Sequence, residues 1–236
     1  MKQFILTIIL LQHLFSVLNA QSAAFTDPAK AFNKLMLDKN GEGGNFERIG
    51  MYKVKGTSLY FGGGLKGIVF TKERGYPDYL ISYNTYSQNV NIYDNSNNPI
   101  ATRKYNDIDS FIVKVASGDF NADVTFISSE ILQSTDNCFF QKLSTGNTYS
   151  LYKKYHCDLG IVTDNQFQND LRQFDLLTDY YYTIAGTPGI KKIKFTKAGI
   201  IKEFQNIKDV RKIVEEGSMF FNPEAVLINV FAEINK

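Results

Sequence analysis

The sequence predicts an α+β fold: an antiparallel β-rich body with an N-terminal helix and a C-terminal helical pair. Three observations predict it. From Phe46 to Phe195 the chain is a run of short segments rich in Tyr, Phe, Ile, Val and Thr, residues that suit a pleated surface. Turn-forming stretches separate these segments, among them Asp94-Asn95-Ser96-Asn97-Asn98-Pro99, Ser144-Thr145-Gly146-Asn147 and Gly186-Thr187-Pro188-Gly189. Such short links join antiparallel neighbours, because parallel neighbours need long crossovers. Beyond Thr196 the apolar residues recur at helical spacing instead.

Residues 1–20 read as a signal peptide. Lys2 is a short positive start, and Phe4 to Leu18 is an apolar stretch interrupted by Gln12 and His13. That stretch has the length of a signal core and falls short of the about twenty apolar residues a membrane span needs. Cleavage is expected after Ala20, with Ala24 as the alternative. The mature chain is then exported, periplasmic or extracellular, with no transmembrane segment.

Residues 21–45 hold an expected helix and a glycine-rich linker. Asp27 suits the N-cap and Pro28 the first helical position, and Ala31, Phe32, Leu35 and Met36 share one face. Gly41-Glu42-Gly43-Gly44 stops the helix.

Residues 46–195 form the expected antiparallel β-rich domain of about ten strands. Its early candidates are Met51–Lys55, Ser58–Phe61, Lys66–Thr71, Asp78–Tyr83, Asn89–Asp94, Ile100–Lys104 and Ser110–Ala116. The later ones are Asp123–Ile127, Cys138–Leu143, Ser150–His156, Leu177–Ile184 and Ile190–Phe195. The polar stretch from Asp158 to Asp175 reads as a long surface loop. Residues 196–236 are expected to pack as helices on the sheet. Thr196 and the Asn222-Pro223-Glu224 triplet are helix starts, and Gly217 is a stop.

The order of elements resembles a set of uncharacterised exported proteins from Bacteroidota. The residues that carry the resemblance are Tyr79-Leu80-Ile81-Ser82-Tyr83-Asn84-Thr85-Tyr86, the Leu143–Tyr155 hairpin and the Val210–Asn235 helical pair. Glu216, Gly217 and Phe220 fit the last of these patterns only in part. These are packing and turn motifs, so the resemblance implies export and an α+β fold and no activity.

Composition narrows the function. Lys and Arg number 26 against 24 Asp and Glu, a net charge of +2, which is not the balance of a nucleic-acid binder. Two His and two Cys leave little for metal clusters or imidazole and thiol catalysis. Gly62-Gly63-Gly64-Leu65-Lys66-Gly67 formally contains the dinucleotide fingerprint, but a strand pattern follows where a helix N-terminus must hold the pyrophosphate. No cofactor is expected. Asp119, Asn121, Asp123 and Glu130 have the carboxylate spacing of a calcium loop, yet Val124 stands where that loop turns on glycine. They are a weak metal candidate, and a polar turn is the preferred reading.

Cys138 and Cys157 are permitted to bridge by export, but a hairpin centred near Thr145-Gly146 sets Cys138 opposite Lys153 rather than Cys157. A bridge and two separately buried thiols both stay open. Tyr79, Tyr83, Tyr86, Tyr180 and Tyr182 are the candidate binding residues, since tyrosine buries a ring and keeps a wet hydroxyl. The expected function is a non-enzymatic envelope protein that binds a protein, a glycan or a small apolar ligand. The alternatives are a hydrolase using paired carboxylates, from the sheet or from Asp158 to Asp179, and a purely structural component.

Overall fold

A computed structural model of the chain describes residues 46–72, 75–117, 120–162 and 170–236, with Asp27, Ala29, Lys30, Phe32, Asn33, Leu35 and Met36. Residues 1–20 and the Gly41–Gly44 linker lie outside the described residues. Ala29, Lys30, Phe32, Asn33, Leu35 and Met36 have helical backbone, but the N-terminal helix is not established as a continuous element.

The strands are β1 (Glu47–Ile49), β2 (Tyr52–Lys55), β3 (Leu65–Phe70), β4 (Gly75–Asn84), β5 (Asn89–Tyr93) and β6 (Pro99–Arg103). They continue with β7 (Ser110–Ser117), β8 (Phe120–Ser128), β9 (Phe139–Thr145), β10 (Tyr149–Ile161), β11 (Leu171–Ile184) and β12 (Lys191–Ile193). They form one sheet in the order β1-β2-β11-β10-β9-β8-β7-β3-β4-β5-β6, with β12 on the second half of β11. Every described pairing is antiparallel except β2 with β11, which runs parallel at Leu171 to Gln173.

The sheet rolls. Strand β9 accompanies β10 only from Ser150 to Lys154. Further along β10, the β4–β5 turn takes its place. The Cys157 N–H donates to the Thr85 carbonyl (3.2 Å), and the Gln88 amide donates to the Tyr155 carbonyl (2.9 Å). Asn84 shapes that turn by accepting from the N–H groups of Tyr86 and Ser87.

Rings fill the concave side. Phe111 and Phe126 stack at 4.8 Å, and Tyr60, Tyr83, Phe139 and Tyr155 close around them. Each such ring pair adds about 0.5–1.5 kcal/mol beyond its buried area.

The C-terminal segment forms three helices rather than a pair: α1 (Lys197–Phe204), α2 (Arg211–Glu216) and α3 (Pro223–Ile234). Thr196 caps α1 by accepting from the Gly199 N–H, and Asn222 caps α3 by accepting from the Ala225 N–H. Ile200, Phe204, Val214, Leu227, Val230 and Phe231 pack on Leu151, Tyr180 and Tyr182 of the concave side, forming a second core.

Two expected elements need correction. Ser58–Phe61 is not a strand. Tyr60–Gly62 is a 3₁₀ turn, because the Gly62 and Gly63 N–H groups close back on Leu59 and Tyr60 and drive both rings into the core. Asp158 to Asp175 is not one long loop either. Strands β10 and β11 pair without a break down to Ile161 opposite Arg172. Tyr155, Cys157 and Leu159 alternate with polar residues along β10, but Leu171 and Phe174 are buried three residues apart among Arg172, Gln173 and Asp175, so no period of two marks the start of β11. The edge strand β1 went unpredicted, as only three residues with little burial carry it.

Gly67 of β3 is tightly confined. A Cβ there would stand 2.1 Å from the Ile112 carbonyl oxygen of β7, which belongs to the ladder itself and cannot step aside. Gly67→Ala is expected to cost about 1–3 kcal/mol or more in urea unfolding, with an unchanged m-value.

Candidate functional site

Two features carry chemistry: a buried ionic cluster and an apolar pocket. The cluster centres on Lys153 of β10, whose side chain is 1% exposed. Its neighbours along the strand, Leu151 and Tyr155, are core residues on the same face, so the pleat drives the lysine inward. Asp27 Oδ2 lies 3.0 Å from the ammonium, and Glu224 Oε2 lies 2.5 Å from it. The Tyr180 hydroxyl donates to the same Glu224 oxygen at 2.9 Å. The rings of Tyr155 and Tyr180 complete the wall, 4.8 and 5.7 Å from the ammonium.

Both carboxylates stand at the start of a helical stretch. Asp27 Oδ1 accepts from the N–H groups of Ala29 and Lys30, and Glu224 lies in the first turn of α3. Helix N-termini favour negative charge at both places. Burial raises the Tyr60, Tyr155 and Tyr180 hydroxyls above the ordinary tyrosine range; Tyr60 is raised further by the Asp27 charge and Tyr180 by Glu224. These phenols therefore stay protonated, and the Tyr155 and Tyr180 hydroxyls donate to Gln141 Oε1 and Glu224 Oε2. Retaining glycosidases hold two carboxylates about 5–5.5 Å apart around an open space for substrate. Here an ammonium fills the space between the two acids.

The pocket lies at the opposite end of the roll, between β3, β4, β5 and β6, with a volume of about 210 Å³. Val69, Ile92 and Ile108 are buried and form its floor. Thr71 and Tyr79 form a side wall. Ile100, Ala101 and Arg103 of β6 complete the lining, with Ile100 half exposed. The β5–β6 register explains the opening. Tyr93 faces Pro99 and Ile92 faces Ala101, so Ile100 is one residue too many. Such a bulge re-aims side chains at a sheet edge.

The five candidate tyrosines do not share a face. Tyr83 is 1% exposed and donates to Gln88 Oε1 (2.7 Å), which holds the β4–β5 turn. Tyr180 and Tyr182 are buried under the helices, where the Tyr182 hydroxyl donates to Glu203 Oε1 (2.6 Å). Those three rings are core residues and present no binding face. Tyr79 lines the pocket, and Tyr86 is exposed and lies against Phe174. Among the described residues, Phe220 and Phe221, in the link between α2 and α3, are exposed and lie edge to face with each other.

The weak calcium candidate fails on geometry. Asp123 sits within β8, an extended strand where a calcium loop would have to coil, and Glu130 pairs with Lys72 beyond the strand's end. Asp119 lies outside the described residues, and Asn121 is described only as a backbone position of β8. Among the described residues no group of three acids, His or Cys is placed to hold a metal ion.

Gly62, Gly63 and Gly64 all have positive φ and lead into β3, not into a helix. They shape a turn and make no phosphate cradle.

Cys138 and Cys157 are both free and buried, Cys138 beside Phe140 and Tyr181, Cys157 beside Val54 and Phe174. The hairpin register places Phe140, not Cys138, at the level of Lys154. Burial pushes the two thiols up to about 12 and about 11, so neither is a thiolate nucleophile at neutral pH.

Of the acids that the hydrolase alternative would use, Asp170 is paired with Lys53 and Asp179 with Lys192, and Asp164 lies outside the described residues. Asp158 and Asp175 face each other across β10 and β11, with Asp158 exposed to solvent.

No family model, curated protein or solved structure matches the chain. Among the described residues no helix is long and apolar enough to cross a membrane.

Neither feature was legible as a site in advance. The pocket gathers residues from four strands and a link, with no linear motif. The cluster's signals were present singly, as an N-cap at Asp27 and a first-turn acid at Glu224, and only the fold brings them to one lysine. Lys153→Met is expected to destabilise the protein by about 3–5 kcal/mol, because two carboxylates are left buried without a countercharge. Adding Asp27→Asn and Glu224→Gln to it is expected to regain most of that loss in denaturant titration.

Proposed function

We propose that this chain is an exported, non-enzymatic protein of the cell envelope that binds a small, mainly apolar ligand in the pocket between β3 and β6. The observation that carries the reading is the pocket itself, with buried aliphatic side chains for a floor and an open mouth at the edge strand. An engineered cavity of about 150 Å³ holds benzene, whereas pockets for drug-sized ligands begin near 300 Å³. A pocket of about 210 Å³ thus suits a short alkyl or single-ring group.

Export rests on the leader-like first twenty residues, and the resemblance to exported proteins of Bacteroidota points the same way. Hydrolysis is disfavoured at the buried cluster, where Lys153 bridges Asp27 and Glu224, and at Asp170 and Asp179, which are paired with lysines. Asp158 and Asp175 face each other across β10 and β11 with Asp158 open to solvent, and neither lines the pocket. A protein or glycan partner lacks the shared tyrosine face that the sequence suggested, since Tyr83, Tyr180 and Tyr182 are buried.

Two outcomes are expected. Intact-mass measurement of the protein from its native host is expected to show loss of residues 1–20 or 1–24; retention of Met1 to Ala20 sinks the export reading. The chain contains no tryptophan, so Ile100→Trp places a sole indole at the pocket mouth. Titration with 1-octanol is expected to shift its emission saturably, and Ala101→Phe in the same background is expected to abolish the response while leaving the melting curve intact. A flat titration, or one unaffected by Ala101→Phe, leaves the structural-component reading in its place.

A further inference from the structure

We infer that the ligand of this pocket carries an anionic oxygen group next to its apolar part, and that Arg103 is the residue that selects it. The inference rests on the pocket reading above and adds the chemical class of the ligand.

Arg103 is the only charged side chain in the lining. It lies at the end of β6, opposite Val90 of β5, and it takes part in no ion pair with a described residue. Of the basic residues near this end, Lys72 is held by Glu130 at 3.7 Å and Lys104 is exposed and outside the pocket lining. Two acids flank Ile108 in sequence: Asp107 is turned to the backbone, its Oδ2 accepting from the Lys104 N–H at 2.9 Å, and Asp109 is not in the pocket lining.

The arrangement is that of an amphiphile's mould. The floor of Val69, Ile92 and Ile108 takes the apolar group, and exposed Arg103 brings the lining its charge. A guanidinium offers a planar fork of N–H donors that matches two oxygens of a carboxylate or phosphate, a match that a point-charge lysine does not make. Apolar burial supplies affinity, and the fork supplies orientation and sign selectivity. The ligand's anionic end stays at the rim, so its desolvation cost stays low.

The test uses the Ile100→Trp reporter and four probes of one chain length: octanoate, octyl phosphate, 1-octanol and octylamine. Octanoate or octyl phosphate is expected to bind about tenfold more tightly than octylamine at low salt. The stronger of those two names the head group. In Arg103→Gln, and equally in Arg103→Lys for the forked part of the contact, that preference is expected to shrink while 1-octanol binding is unchanged. Equal affinities for octanoate, octyl phosphate and octylamine, or a preference that survives Arg103→Gln, overturn the role of Arg103 but leave the apolar pocket standing. Failure of all four probes, 1-octanol included, overturns the pocket reading itself. Circular dichroism melts of each variant separate a lost site from a lost fold.

Discussion

The ammonium of Lys153 is the point on which the architecture turns. It draws together three parts of the chain that are distant in sequence: the segment at Asp27, the middle of β10 and the first turn of α3. Taking an ammonium and two carboxylates out of water costs several kcal/mol per ion, and their attraction offsets this only with good geometry and further hydrogen bonds. Those bonds are present. Asp27 is held by backbone N–H groups, and Glu224 accepts from Tyr180. None of the three segments has a low-energy place for its charge without the other two. The cluster therefore also divides the interior, with the ring-filled roll on one side and the helix-covered core on the other.

The rolled sheet explains why its middle is filled with rings while a pocket is left between β3 and β6. Along the second half of β10, the β4–β5 turn substitutes for a strand and curls the sheet tightly. The radius left inside matches the width of interlocked rings, so Phe111, Phe126, Phe139, Tyr60, Tyr83 and Tyr155 fill it. A pocket is left towards β6, which has a neighbour on one side and begins with a proline that has no N–H to offer. The aromatic excess of the composition was thus spent on closing the roll, and the cavity is lined chiefly by aliphatic side chains.

Much of the body was readable because strand periodicity is local. Nearly every expected strand exists within a few residues of its expected bounds, and the caps at Thr196 and Asn222 are where Ser/Thr/Asn chemistry places them. The failures share one cause, which is burial decided by partners distant in sequence. Tyr60 and Phe61 look like strand residues but serve as plugs on a 3₁₀ turn. Leu171 and Phe174 sit among polar residues yet are buried by β2 and β10. The tyrosines illustrate the limit on function. A ring with a hydroxyl suits a wet face or a buried donor equally, and only the position of Glu224, Glu203 and Gln88 decides for Tyr180, Tyr182 and Tyr83.

The cation at the edge of the sheet admits two explanations that differ in what surrounds it. Edge strands carry charges and bulges to deter pairing with another chain, and β6 has both in Arg103 and the extra Ile100. A deterrent charge needs only water around it, however, and any lysine serves. Lys104, next along the chain, already meets that need. Arg103 differs because its surroundings include a floor of buried aliphatic side chains rather than water alone. An apolar cavity without polar company calls for no cation, and a deterrent charge calls for no cavity. Their conjunction on one bulged strand is the ground for the proposed ligand, apolar at one end and anionic at the other.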